Sequence, residues 1–444
     1  MHGGQLHISR RTALASLAAS CAVGLGKPIS EGNAAENISG PVFTLSGPDA
    51  ERYGAAENYP IKDASLPFTP GNPLSPKYRF GAFSHFDELY PTRQIKRAAS
   101  PWQFKRAPAE RSDPFRTRVN DYLSRNPVTG LLIAKDNQIL FEHYQYGRTD
   151  RDLLISQSMV KSITGMLIGI AISEGAIKSV DDTAETYVRG FKGTEYGKTP
   201  IRDLLHMSSG IDFGEERDDD RDLNRLWNDM IVGDGTFQRT TISSITQFNR
   251  RIAPPGTRFS YASIEPDVLG VVLRYAVDKT LSDYLHDKVW EPIGAEGDAR
   301  WLVDAQGLEV AHGFFNAVLR DYARLGRLLA HDGVWDGKQI IPAQWMIEAT
   351  TVRPSDTFLM PGKAMAPQPF GYGYLLWLLP GTRRQFAMVG YLGQRVCIDP
   401  ASKLVMVQTA VETNAEVWRL WSDVVERLAD TDGQPCTQSI PASH

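Results

Sequence analysis

The sequence is short of cysteine and histidine and carries no large excess of charge of either sign. Three cysteines in 444 residues, Cys21, Cys397 and Cys436, are too few for a disulfide-built fold, so a buried apolar core must hold the chain. A net charge of -4 and a pI near 6.2 give no electrostatic reason to expect nucleic acid or an anionic membrane as partner. The apolar run from Ala13 to Leu25 is too short to cross a membrane, so no stable membrane anchor is expected. The densest acidic run, Glu215 to Asp220, has neither calcium-loop spacing nor a neighbouring histidine. It reads as a solvated loop, and no metal site or cofactor is implied.

What is present is an ordinary globular composition, 42% hydrophobic and 23% charged, in a chain long enough for two core-forming units. Residues 1–35 read as a signal peptide of the twin-arginine type: Arg10-Arg11 precedes the apolar run, and Ala34-Ala35 offers small residues for cleavage. A periplasmic or secreted protein follows from that reading. Cys21 leaves with the signal. Cys397 and Cys436 would then meet an oxidising compartment, either paired or as one buried thiol and one tail thiol.

Residues 36–125 are interrupted by proline from Pro60 to Pro114 and read as a wrapping extension. Within it, His85 reads as a packing histidine. A folded domain is expected over 126–430 and a tail over 431–444. Gly130–Lys135 and Gln138–Tyr144 alternate as strands around the two-residue turn Asp136-Asn137. A mainly helical stretch of about 163–310 follows, with Val268–Val277 and Leu281–Val289 its clearest helices, and Asn316–Leu329 reads as another. Strand patterns return at Tyr372–Leu379, Phe386–Val389, Gln394–Ile398 and Leu404–Thr409, before a helix over Glu412–Leu428. Strands at both ends with helices between predict an α+β fold. One antiparallel sheet is built from distant segments, carries an inserted helical domain and leaves a cleft between the two.

The chemistry centres on Ser158-Met159-Val160-Lys161 at the start of an apolar helix, the one S-x-x-K in the chain. Residues three apart share a helix face, so the Ser158 hydroxyl and the Lys161 amine come within reach of each other. Burial disfavours an ammonium, and a neutral lysine can take the serine proton. The helix start also offers free N–H groups to an oxyanion. Two later stretches could complete such a site. Tyr261-Ala262-Ser263 follows the turn Pro254-Pro255-Gly256, and a phenol beside a lysine can relay a proton. Gly390-Tyr391-Leu392-Gly393-Gln394 carries glycines that permit close approach of a ligand or of another backbone, and it can equally be a hairpin turn. His312 either lines the cleft or sits in a loop.

Together these residues resemble the serine hydrolases of the penicillin-recognising type: class C β-lactamases, D-alanyl-D-alanine carboxypeptidases, related esterases and 6-aminohexanoate-dimer hydrolases. Ser158–Lys161 matches the first motif, Tyr261–Ser263 stands where the family has Tyr-x-Asn, and Gly390–Gln394 stands where it has Lys-Thr-Gly or His-x-Gly. Gly81–Asp87, Leu204–Gly210 and Asn316–Arg324 point to the 6-aminohexanoate-dimer hydrolase branch. The resemblance implies a β-lactamase-like fold with Ser158 as acylated nucleophile, Lys161 and Tyr261 sharing acid/base work, and the N–H groups of Ser158 and Tyr391 as oxyanion hole. It also implies Ser263, Gly390 and Gly393 in substrate binding.

Two departures bear on substrate. Ser263 replaces an asparagine, and the third motif lacks the cation that greets a β-lactam carboxylate. The expectation is hydrolysis of a small ester or amide substrate. The alternatives are a D-alanyl-D-alanine peptidase or penicillin-binding enzyme, or a non-catalytic ligand-binding protein on the same fold.

Overall fold

A computed structural model describes residues 40–55, 75–108, 114–215, 221–233, 239–365 and 368–429. The signal-like segment 1–35, Cys436 and the tail 431–444 lie outside them. The strand β1 (Val128–Lys135) shows why the chain needs helices on two sides. Successive side chains of a strand point to opposite faces: Leu131 and Ile133 enter one apolar core, Leu132 and Ala134 the other. A sheet of such strands must be covered twice. The helices α1 (Pro114–Arg125) and α5 (Glu416–Leu428) cover one face, where Phe115, Val119 and Tyr122 join Val417, Leu420 and Trp421. The helices α2 (Val160–Ser173) and α4 (Leu319–Ala330) contribute to the core of the other face. Each fully buried Leu or Ile there is worth about 1.5–3 kcal/mol relative to exposure.

The sheet has nine strands among the described residues. Its centre is antiparallel: β2 (Gln138–Tyr144), β1, β5 (Leu404–Ala410), β4 (Gln394–Asp399) and β3 (Phe386–Gly390) lie in that spatial order. Beyond β3 come Trp377–Leu378 and Gly371–Tyr372. The expected antiparallel sheet is therefore present, with one correction: Val42–Phe43 and Lys105–Arg106 each pair in parallel with β2, so the sheet is mixed. Both are two-residue pieces of the proline-rich stretch laid along the β2 edge. The helix α4 lies directly on β5, because a Cβ on Gly326 would stand 2.5 Å from Val405. Cys397, on β4, is buried and has no disulfide partner among the described residues.

Three expected elements differ. Tyr372–Leu379 is a tight hairpin, since Leu375 takes a left-handed φ of 55° between its two short strands. Asn316–Leu329 begins as a strand: Phe315–Ala317 pairs with Leu154–Ile155 and Ala299–Leu302 in a second, four-stranded sheet, and the helix starts only at Leu319. Leu281–Val289 is α-helical to Leu285 and then widens into a π-turn over His286–Trp290. The helices between the two parts of the large sheet include α2 and α3 (Ile264–Val277). No helix among the described residues is long and apolar enough to cross a membrane.

Candidate active site

Every residue of α2 from Val160 to Ala171 is buried. Such a helix is anchored along its length, so whatever its first turn carries is fixed. That turn carries Ser158, half-buried in the 3-10 turn Gln157–Met159. Lys161 follows one turn on, 2% exposed, with its Nζ 2.7 Å from Ser158 Oγ. The pairing inferred from the S-x-x-K spacing is the pairing found.

The Ser158 turn is held from below by the strand Phe315–Ala317. The Ser156 N–H donates to the Phe315 carbonyl at 2.7 Å, and the Phe315 N–H returns a bond to Ser156 Oγ at 3.2 Å. Gln157, between these bonds and Ser158, has a positive φ of 47°. A left-handed glutamine is strained, and strain of this kind persists only where the surroundings impose it. Just upstream of that strand, the His312 carbonyl accepts from Lys161 Nζ at 2.7 Å. His312 itself is 6% exposed, and Asp267 receives both its backbone N–H (3.1 Å) and its Nδ1 (2.7 Å). His312 therefore belongs to the site through its main chain, which no side-chain motif records.

The second motif approaches from the start of α3. Tyr261 is half-buried, with its ring centroid 5.1 Å from Lys161 Nζ and stacked on Trp377 at 5.7 Å. Ser263, expected to meet substrate, is only 2% exposed. Its hydroxyl donates to Glu215 Oε1 at 2.5 Å, and its N–H bonds the other Glu215 oxygen. Glu215 corrects the solvated-loop reading of the acidic run: it is half-buried and engaged, while 216–220 lie outside the described residues.

The third motif closes the site by backbone contact. β3 packs on the Gln157–Met159 turn so closely that a Cβ on Gly390 would stand 2.3 Å from the Ser156 carbonyl oxygen. Tyr391 follows directly and is 57% exposed. Gly393, at φ 95°, packs against Glu412 and Ala410 on the turn's other side. The turn is fastened by its neighbours' side chains. Gln394 Nε2 donates to the Tyr391, Leu392 and Ala410 carbonyls, Arg395 Nη1 to the Gly390 carbonyl at 2.6 Å, and Gln408 Nε2 to the Gly393 carbonyl at 2.9 Å. Arg395 is buried, so it braces the turn and offers no cation to a ligand.

His85, outside this group, pairs with Glu88 at 3.1 Å and packs near Arg148 as expected. A separate cavity of about 360 Å³, lined by Arg93, Thr241, Arg274 and Asp304 among others, contains none of the site residues. Among the described residues no group of three or more His, Cys, Asp or Glu could hold a metal ion.

The sequence and the fold have counterparts in known proteins. The chain is 26% identical over 339 residues to the 6-aminohexanoate-dimer hydrolase of Paenarthrobacter ureafaciens, covering 74% of this chain and 84% of that one. A Bacillus anthracis structure assigned as a 6-aminohexanoate-dimer hydrolase superposes with a TM-score of 0.71 at 22% identity, over 84% of this chain and 98% of that chain. A family VIII carboxylesterase gives a TM-score of 0.52 at 17% identity, over 69% and 93% of the two chains. The family model described as Beta-lactamase matches residues 115–415, which span both long strands of the first hairpin, the Ser158 turn and all three motifs. This chain belongs to the Beta-lactamase family, the hydrolases built on the β-lactamase fold.

Proposed function

We propose that the chain is a serine hydrolase that cleaves a small ester or amide through an acyl-enzyme on Ser158. The observation that carries this reading is the 2.7 Å approach of Lys161 Nζ to Ser158 Oγ, with the lysine buried and held by the His312 carbonyl. In this reading Ser158 Oγ attacks the substrate carbonyl while its proton passes to the Lys161–Tyr261 pair. The carbonyl oxygen, now negative, accepts from the N–H groups of Ser158 and Tyr391. Collapse breaks the bond to the alcohol or amine, which leaves with the proton. Water then attacks the acyl carbonyl, its proton returns through the same pair to Ser158, and the carboxylic acid departs.

A small ester or amide is favoured over a β-lactam. The relative is named for hydrolysis of a 6-aminohexanoate dimer, not a β-lactam, and the turn at Gly390–Gln394 presents no cation: its neighbour Arg395 is buried in bonds to backbone oxygens. We further propose export by the twin-arginine route, supported by Arg10-Arg11 and the apolar run behind them. Replacing both arginines with lysine should hold the protein in the cytoplasm.

The test of the reaction is turnover of a short-chain p-nitrophenyl ester, the linear 6-aminohexanoate dimer and a chromogenic cephalosporin. The first or second should be hydrolysed much faster than the third. Ser158→Ala should lose about 10⁴–10⁶ in kcat and Lys161→Ala about 10³ or more. Wild-type rates in Ser158→Ala would remove this serine from the reaction.

A further inference from the structure

We infer that Glu215 is a positioning residue of the hydrolytic site, fastening the Tyr261–Ser263 segment that presents the phenol to Lys161 and placing a negative charge beside that segment. The inference deepens the serine-hydrolase reading and rests on it. Two bonds place Glu215: one carboxylate oxygen takes the Ser263 hydroxyl at 2.5 Å and the other takes the Ser263 N–H. A two-oxygen clamp on one residue fixes both its side chain and its backbone. Ser263 is two residues from Tyr261 and immediately precedes α3, so the clamp fixes how the phenol is presented to Lys161.

The second half of the inference is electrostatic. Burial pushes the Glu215 carboxyl up, and the positive charge of Lys161 is the strongest influence pulling it back, followed by the Ser263 bonds and His312. A charge interaction acts on both partners, so removing the Glu215 charge changes the electrostatic setting in which the Lys161–Tyr261 pair works. The groups around Glu215 are Lys161 from α2, His312 with its Asp267 partner, and Ser263, with the buried phenols of Tyr372 and Tyr196 also near it. Lys161 is the cation among these groups that also touches Ser158.

Two substitutions separate the clamp from the charge. Glu215→Gln keeps an oxygen for the Ser263 N–H and an amide to bond the Ser263 hydroxyl, while removing the charge. Glu215→Ala removes both. The readout is kcat and KM against pH with a p-nitrophenyl ester, alongside thermal unfolding and Ser158 labelling by a fluorophosphonate.

Glu215→Gln should move the acid limb of kcat/KM to lower pH by about half a unit or more, with plateau kcat within about tenfold of wild type. Glu215→Ala should show the same direction of movement and lose on the order of 10–100-fold in kcat, with a smaller change in KM. An acid limb unmoved in Glu215→Gln overturns the electrostatic role. A plateau kcat in Glu215→Ala equal to that of Glu215→Gln overturns the clamp. Failure of the underlying reading looks different: wild type itself would not label at Ser158.

Discussion

At the scale of single residues, the site depends on main-chain groups as much as on side chains. Ser158 and Lys161 were legible because helical spacing alone puts positions three apart together. The His312 carbonyl was not legible, since every residue has one and only the fold selects which reaches Lys161. Glu215 was hidden for a related reason: it opens a run of charged residues whose composition signals solvent, and its bonds to Ser263 span 48 positions. Gly390 gives the sharpest prediction at this scale. An added methyl meets the Ser156 carbonyl at 2.3 Å, backbone against backbone, so neither side can give by rotating a side chain. Gly390→Ala should push the Gly390–Tyr391 backbone away from the Ser156–Ser158 turn and cost on the order of 10²-fold in kcat/KM. The rate of Ser158 labelling should fall in parallel, and unchanged kinetics would mean that the close approach does not serve the reaction.

At the scale of elements, the strands with strict alternation matched their expected bounds to within a residue or two. The elements that differed are those whose local pattern was overruled by partners distant in sequence. Asn316 and Ala317 have residues suited to starting a helix, yet two other strands claim them, and the helix waits until Leu319. The short helix Ile201–Leu205 ends at His206, which is 5% exposed and whose ring lies 4.8 Å from Tyr374. Burial lowers the His206 pKa to about 3. The unfolded chain would take this proton near pH 6.5, whereas the folded chain resists it. The stability contributed by neutral His206 is thus complete above pH 6.5 and lost as pH falls toward 3. Asp203 nearby acts in the opposite sense, because burial raises its pKa to about 6. The two are separated by comparison: urea unfolding of His206→Phe against wild type should show a shallower loss of stability between pH 6.5 and 4. Parallel curves would contradict the burial argument.

At the scale of the whole molecule, early and late segments of the described residues meet in one sheet, and charged groups tie helix α4 into that assembly. Arg324, fully buried, bonds Asp321 at 2.7 Å and Glu296 at 2.9 Å, and Asp321 also accepts the Glu296 and Gly297 N–H groups at 2.9 Å. Arg320 reaches Glu142 on β2 at 2.7 Å. Breaking a buried pair strands its partner, so Asp321→Ala should cost about 3–5 kcal/mol in chemical unfolding. A cost below about 1 kcal/mol would mean that Arg324 is satisfied without it. The overall architecture was legible because its halves are long alternating strands and its middle is helical. The pairing of Val42–Phe43 and Lys105–Arg106 with β2 was not, since two-residue strands carry no period to read. In the proposed function, what this assembly holds is an activated Ser158. The most direct test is the intact mass of the purified protein after exposure to a fluorophosphonate, with the modified peptide located by fragmentation. The account predicts one adduct, on Ser158, absent from Ser158→Ala and much slower to form in Lys161→Ala. No adduct on a folded wild-type protein, or an adduct on another serine, would contradict it.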